Sequence, residues 1–416
     1  MDFDVFVPDG STRISLAVVR SLGRKGYRVA CGDDRLFSMS THSKYCTKPF
    51  RYPSPSNSIK KYHDWLIDFL KKHNVKVYLP ILDITTKHAV KNQEEIMKYT
   101  NMYVPDYDSY ISLFQKNRVS KIAKKIGLNI PNSIEITDQK DLNKVKELNF
   151  PVIIKAIESA GGKGNRICND YGEVLGNYNY LKEMYGECIV SEYFPPGGDS
   201  IGVSCLIDEN KDPVNVFCHK RLRQYPPEGG QSVLCKSYEH KEAKEAAIKL
   251  LKHVNYKGIA LVEFKINPED GKLYLIEVNT RFWGSINLPI SLGMDFPHNV
   301  YKLALGKKVK KNVNYDLGVM CRWYAGEFLY LLRAPNLFSH IKELFRINRP
   351  NLHYMDIDKR DIMPSVFRFL SLVYALNPKI FNQFVLPKPQ LKVNLNNSYK
   401  FSLSNFYKKF YLKYSK

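Results

Sequence analysis

Hydrophobic positions change their period along the chain, and each change marks an element. Residues 3–7 are a short apolar, β-rich run that stops at Pro8-Asp9-Gly10. Residues 14–22 carry helical spacing and end near Gly23 and Gly26. A second strand is predicted over 27–31, a helix over 65–72 and a third strand over 75–81. Strand, helix and strand at this pace imply a parallel sheet with covering helices across residues 1–112. Polar residues at the C-terminal ends of such strands line ligand crevices. Gly10, Ser11, Arg13 and Asp83 are so placed.

From residue 113 to about 195 the pattern predicts a smaller α+β unit. It holds a helix over 116–126 closing at Gly127, a strand over 150–156, a small-residue loop over 159–164, and a strand over 188–194 broken by Pro195-Pro196-Gly197-Gly198. Strands over 200–207 and 214–219, a helix over 240–254 and a hairpin over 258–279 then predict an antiparallel-rich unit spanning 196–308. Pro268-Glu269-Asp270-Gly271 supplies the hairpin turn. Residues 309–416 read as a helical, aromatic-rich extension, with helical stretches over 319–332 and 365–376. The expected fold class is thus mixed α/β and α+β.

Composition narrows the picture. Eight scattered cysteines without a C-x-x-C pair argue against zinc and against a disulfide framework, and fit a reducing compartment. The N-terminus lacks a basic segment followed by an apolar one, and no apolar run approaches the ~20 residues of a membrane span. A cytoplasmic chain is expected. The net charge of +22 is concentrated late, since residues 307–416 hold 20 Lys/Arg against 6 Asp/Glu. A solvated basic surface is the plain expectation. Weak contact with an anionic membrane surface, through tail segments such as FYKKFYLKYSK, ranks second, and nucleic acid is disfavoured.

The densest chemistry lies in LVEFKINPEDGKLYLIEVNTRFWGS, residues 261–285. Glu263 is on the first strand of the hairpin; Glu277 and Asn279, two apart on the second, share a face. Two carboxylates and an amide oxygen converging on one surface suit magnesium, a hard cation that keeps part of its oxygen shell for phosphate. Each alone is an ordinary exposed strand residue; the three together, followed by Arg281, are not. Lys116 and Lys155 are two cations able to neutralise phosphate from opposite sides. The loop carrying Ser159, Gly161 and Gly162 lets backbone N–H groups approach oxyanions, although it is no Walker A loop. VSEYFPPGGDS is a hinge by composition, and HKRLRQYPPEGGQS packs three cations into five residues.

In these motifs, and in their order over roughly residues 1–306, the chain resembles the ATP-grasp superfamily, nearest its carboxylate–amine ligases and carbamoyl-phosphate-synthase-like members with their E…E-x-N-x-R pattern. The resemblance implies an ATP-grasp fold behind an N-terminal Rossmann-like domain, with a basic extension after residue 308. It implies that Glu263, Glu277 and Asn279 hold two Mg2+ ions (Mn2+ being an alternative) on ATP, and that Lys116, Lys155 and the 159–164 flap hold its phosphates. Glu192, Tyr193 and Phe194 would meet the adenine and Asp199 the ribose. His219, Lys220, Arg221 and Arg223 become candidates for phosphate or carboxylate, of which strand alternation allows only half, and Arg281 for the transferred phosphoryl group. Thr280 stands where many relatives have proline, with its side chain pointing away from the metals. The implied activity is an ATP-dependent ligase that activates a carboxylate as an acyl phosphate and joins it to an amine. The alternatives are a bicarbonate-using, carbamoyl-phosphate-type enzyme, or a non-catalytic nucleotide-binding protein with a basic tail. A homodimer is compatible with all three.

Overall fold

The computed structural model describes residues 1–35, 38–158, 164–194, 197–226, 229–331, 337–344 and 349–368. The first sheet is parallel and ordered β3-β2-β1-β4, from β1 (Phe3–Val7), β2 (Val29–Asp33), β3 (Lys48–Arg51) and β4 (Val75–Tyr78). β1 is central and nearly wholly buried, which is why its run is apolar rather than alternating. The helix Arg13–Gly23 begins at an N-cap, Thr12, whose side chain accepts from the Ser15 amide. Chain order reverses between β1 and β4, and the loops after both strands open at that switch point.

The second sheet is antiparallel and ordered β5-β8-β6-β7, from β5 (Ser133–Ile136), β6 (Val152–Ala156), β7 (Asn165–Cys168) and β8 (Cys188–Glu192). The helix Tyr171–Tyr185, capped by Asp170, buries Val174, Tyr178 and Leu181 in the same apolar cluster as Val152 and Ile154. The third sheet has seven strands: β9 (Ser200–Ile207), β10 (Pro213–Tyr225), β11 (Gln231–Ser237), β12 (Gly258–Ile266), β13 (Leu273–Asn279), β14 (Met320–Arg322) and β15 (Leu352–Tyr354), ordered β13-β12-β9-β10-β11-β14-β15. One cluster joins Val18 and Leu22 of the first helix to Phe217, Trp283 and Phe296, so the parallel sheet and the large sheet share a core.

Two expectations need correction. The predicted helix over 319–332 is split. Residues 320–322 form β14, which pairs with β11 and β15, and the helix starts only at Tyr324. Buried Cys321 and Arg322 find sheet partners there, and tertiary pairing overrides local propensity. β10 also runs on to Tyr225, six residues beyond the predicted end. The helix predicted over 365–376 is present through 363–368, and its remainder lies outside the described residues. Among the described residues, no helix is long and apolar enough to cross a membrane.

Candidate active site

The hairpin of β12 and β13 sets Glu263 directly opposite Glu277, and Leu261 opposite Asn279. Directly opposed residues share a face, and Asn279 follows Glu277 by two on that face. The Asn279 Nδ2 lies 3.3 Å from an oxygen of Glu263 and 3.3 Å from one of Glu277. All three side chains therefore meet at one point. Two buried carboxylates in contact repel, and the surrounding cations reveal how the repulsion is managed. Burial and the neighbouring Glu277 raise the Glu263 carboxyl, against the pull of Arg221, which forms an ion pair with it. Burial also works to raise Glu277, but Lys116, Lys155 and Arg221 together hold it below the usual carboxylate range. Glu277 is thus the member held more firmly as a carboxylate.

Lys155 comes from β6 of the second sheet, and Lys116 is the first residue of the helix Lys116–Lys125, whose Val119 and Ala123 pack into the core of the large sheet. Burial pulls the Lys155 ammonium down to about 8, partly offset by Glu277. Burial likewise lowers Lys116, offset by Glu277, Asp83 and Glu158. Both lysines, with Glu277 and Asn279, line a cleft between the second sheet and the large sheet. Leu113, Val119, Ile130, Ile189 and Leu275 form the apolar parts of its wall, beside Asp83, Ser120, Ser133 and Ser191. A cleft that combines apolar patches with cations and carboxylates suits a ligand with a flat ring and a polyanionic tail. These apolar walls escaped the sequence reading, because a ligand-facing Leu carries the same signal as a core Leu.

The remaining candidates are placed unequally. Arg281 is held by Asp83, Nε to Oδ2 2.6 Å, beside the loop after β4. Arg221 sits on the metal-side face. Lys220, its neighbour, points the other way and pairs with Asp199 at 2.6 Å. Arg223 is withdrawn into ion pairs with Glu327 and Glu343, so a phosphate-binding role for it is corrected. His219 is 1% exposed, bonded through Nε2 to Ser285, and burial drops it to about 3; it is neutral and brings no charge to an anion. The Glu192 carboxylate accepts from Asn149 and Asn132 in the lid rather than opening into the cleft. The Phe194 ring meets Tyr274 edge-on, and the Tyr193 amide bonds Pro151. Ser159, Gly161 and Gly162 lie outside the described residues. Asp83 was flagged only as a crevice residue, and its partnership with Arg281 was not foreseen.

A magnesium ion needs oxygen donors with positions left over. Among the described residues there is no cluster of three or more His, Cys, Asp or Glu able to hold a metal. The donor set here is two carboxylates and one amide, which fits a hard cation shared with phosphate and does not fit a closed structural site. The buried, mutually repelling pair gives the independent reason: a cation between them removes the repulsion.

Comparison with known proteins agrees with this geometry. Residues 115–312 match the family model for the carbamoyl-phosphate synthase L chain, ATP binding domain. The chain is 25% identical over 244 residues to the carbamoyl phosphate synthase large chain of a Thermoanaerobacter species, covering 54% of this chain and 22% of that protein. It is 26% identical over 215 residues to the 2-oxoglutarate carboxylase small subunit of Hydrogenobacter thermophilus, covering 47% of this chain and 44% of that one. The fold is like that of the biotin carboxylase domain of the latter enzyme, at TM-score 0.64 and 19% identity over 76% of this chain and 73% of that one. It is also like Staphylococcus aureus N5-carboxyaminoimidazole synthetase complexed with ADP, at TM-score 0.61 and 16% identity over 85% and 92%. The chain thus spans about a fifth of the large-chain relative that it matches. Residues 115–312, just under half of the chain, are thus similar to the ATP-binding domain of the carbamoyl-phosphate synthase L chain.

Proposed function

We propose that the chain is an ATP-dependent carboxylate–amine ligase, releasing ADP and phosphate. One observation carries this reading: Glu277 and Asn279, the latter in contact with Glu263, line the same cleft as Lys116 and Lys155. ATP lies in the cleft, its base against the apolar walls and its phosphates against the lysines. Glu263, Glu277 and Asn279 hold Mg2+, with the Asn279 amide turned to present its oxygen. The metal, when bound, draws charge from the phosphate oxygens, which is most of what phosphoryl transfer requires. Lys155 gains proton affinity beside a polyanion, reversing the effect of its burial. Arg281, aimed by Asp83, and Arg221, shared with Glu263, orient the carboxylate that attacks the terminal phosphorus. The acyl phosphate so formed is trapped by an amine, and no protein nucleophile takes part. Residues 1–112 are assigned to a Rossmann-like pre-ATP-grasp domain, 113–195 to the lid, 196–308 to the central domain and 309–416 to the extension.

Kinship with a carbamoyl phosphate synthase large chain favours a second reading, in which bicarbonate is the activated carboxylate. ADP release measured across carboxylate and amine panels, with and without bicarbonate, separates the two. Glu277→Ala is expected to lower ADP release on the order of 10²–10³-fold. Unchanged release in that variant would sink both readings.

A further inference from the structure

Three arginines in the described residues are buried: Arg13, Arg20 and Arg322. Two have a carboxylate at hand, Arg20 with Asp361 at 2.8 Å and Arg322 with Glu327 at 3.3 Å. Arg13, 8% exposed, has no carboxylate within ion-pair distance among the described residues. Its Nε donates to the Gly284 carbonyl (3.1 Å) and its Nη1 to Gln231 Oε1 (2.8 Å). The Trp323 ring covers one face of the guanidinium at 4.1 Å. Two of five N–H groups are thereby used, and Nη2 donates to nothing among the described residues. Asp356, whose charge Arg13 feels, is committed elsewhere, since its carboxylate accepts from the amides of Tyr324 and Ala325. Burial without a partner pulls Arg13 down to about 10, still charged at neutral pH.

A buried cation left unpaired is costly unless something binds it, and the surroundings are shaped to keep it. Gly284 has no side chain where the guanidinium lies; a Cβ there would sit 2.4 Å from Nη2. Arg13 is at the N-terminal end of the first helix, at the switch-point edge of the parallel sheet. It is also next door to the phosphoryl site. Arg221, paired with Glu263, donates to the Gly230 carbonyl, and the following residue, Gln231, is the exposed acceptor for Arg13. Neither Arg13 nor Trp323 falls within the stretch matched by the family model.

We infer that Arg13, stacked on Trp323 and seated against Gly284, binds an oxyanion carried by the co-substrate other than ATP, at the end that is not consumed. The group is a carboxylate or a phosphate, taken by the in-plane donors as a fork. This rests on the ligase reading and adds to it a co-substrate with a second, spectator anionic group.

The test is a thermal-shift titration of the full chain with MgADP present. The probes are amino acids and short dicarboxylates, each beside its primary amide, and glycerol phosphate beside glycerol. At least one acid is expected to raise the melting temperature where its neutral counterpart does not, and the responding arm names carboxylate or phosphate. The half-saturating concentration is expected to rise about 10–100-fold in Arg13→Gln, less in Arg13→Lys, and comparably to Arg13→Gln in Gly284→Ala, which displaces the guanidinium while keeping its charge. MgADP should shift all variants as it shifts the wild type, and this control separates misfolding from loss of the site. An acid response unchanged in Arg13→Gln and Gly284→Ala, or no acid that outdoes its neutral partner, overturns the inference. Absence of any MgADP shift in the wild type sinks the ligase reading instead and leaves the acid–amide comparison standing.

Discussion

At the scale of single residues, charges in this chain are buried with attention to partners, and Asp9 shows what happens when the partners are neutral. Its backbone has φ +58°, and its carboxylate accepts from the Leu82 amide, the Thr85 hydroxyl and the Tyr52 hydroxyl, tying the loop after β1 to the loop after β4. Among the described residues no cation pairs with it, and burial together with the charge of Asp33 raises its carboxyl from 3.8 to about 6. The folded protein therefore holds this proton more tightly than the unfolded chain does. Stability from this group is complete below pH 3.8 and is lost as pH rises to about 6. The loss amounts to roughly 3 kcal/mol. Asn in place of Asp does not titrate. The stability of Asp9→Asn relative to wild type should consequently improve by up to that amount between pH 4 and pH 7. Urea unfolding at both pH values checks this, and a constant difference would show that Asp9 is ionised throughout.

At the scale of elements, β9 explains how the hairpin keeps its register. Gly202 pairs with His219 on β10 and with Glu263 on β12. The His219 ring lies across it, so a Cβ at Gly202 would come within 2.4 Å of the imidazole. Gly202→Ala is expected to push that ring off Ser285 and to cost about 1–3 kcal/mol, as overpacking does. A thermal melt measures the cost, and a melt unchanged by the substitution would mean that the ring has room to move. The hairpin itself was legible in the sequence, because turn residues and a two-residue period pin down which side chains share a face. The converging Glu263, Glu277 and Asn279 followed from that, whereas Lys116 and Lys155 stood out only through the family resemblance. Which face of β10 mattered did not follow. Bulges between Arg221 and Gln224 shift the register there, and alternation counted from sequence cannot see a bulge. The partners of Glu192 and Asp199, namely Asn149, Asn132 and Lys220, were not legible either, because they come from other elements and carry no local signal.

At the scale of the whole molecule, the puzzle in the sequence was a basic C-terminal quarter with no readable motif. Its described part, to residue 368, is built into the fold. β14 and β15 extend the large sheet, and Glu327 and Glu343 are met by Arg223 and Arg322. Part of the positive charge of this quarter is therefore spent on internal pairs, which weakens any inference from net charge to an outside partner. The firmest tie is Asp361, which is 3% exposed. It accepts from Arg20 Nε at 2.8 Å, the Ser43 hydroxyl at 2.7 Å and the Lys44 amide at 2.9 Å, all in the first hundred residues of the chain. Burial alone would raise this carboxyl, yet Arg20, Ser43 and Lys44 hold it below its ordinary value. Asp361→Ala leaves the Arg20 guanidinium buried and uncompensated, a change that costs about 3–5 kcal/mol when a buried pair loses one member. If the segment is integral, the melt of the parallel-sheet region drops with it in one cooperative transition, while nucleotide affinity measured well below that temperature stays at the wild-type level. If it is an appendage, hydrogen exchange in the first helix and in β1 is unchanged by the substitution. Exchange measured at those two elements decides between the outcomes.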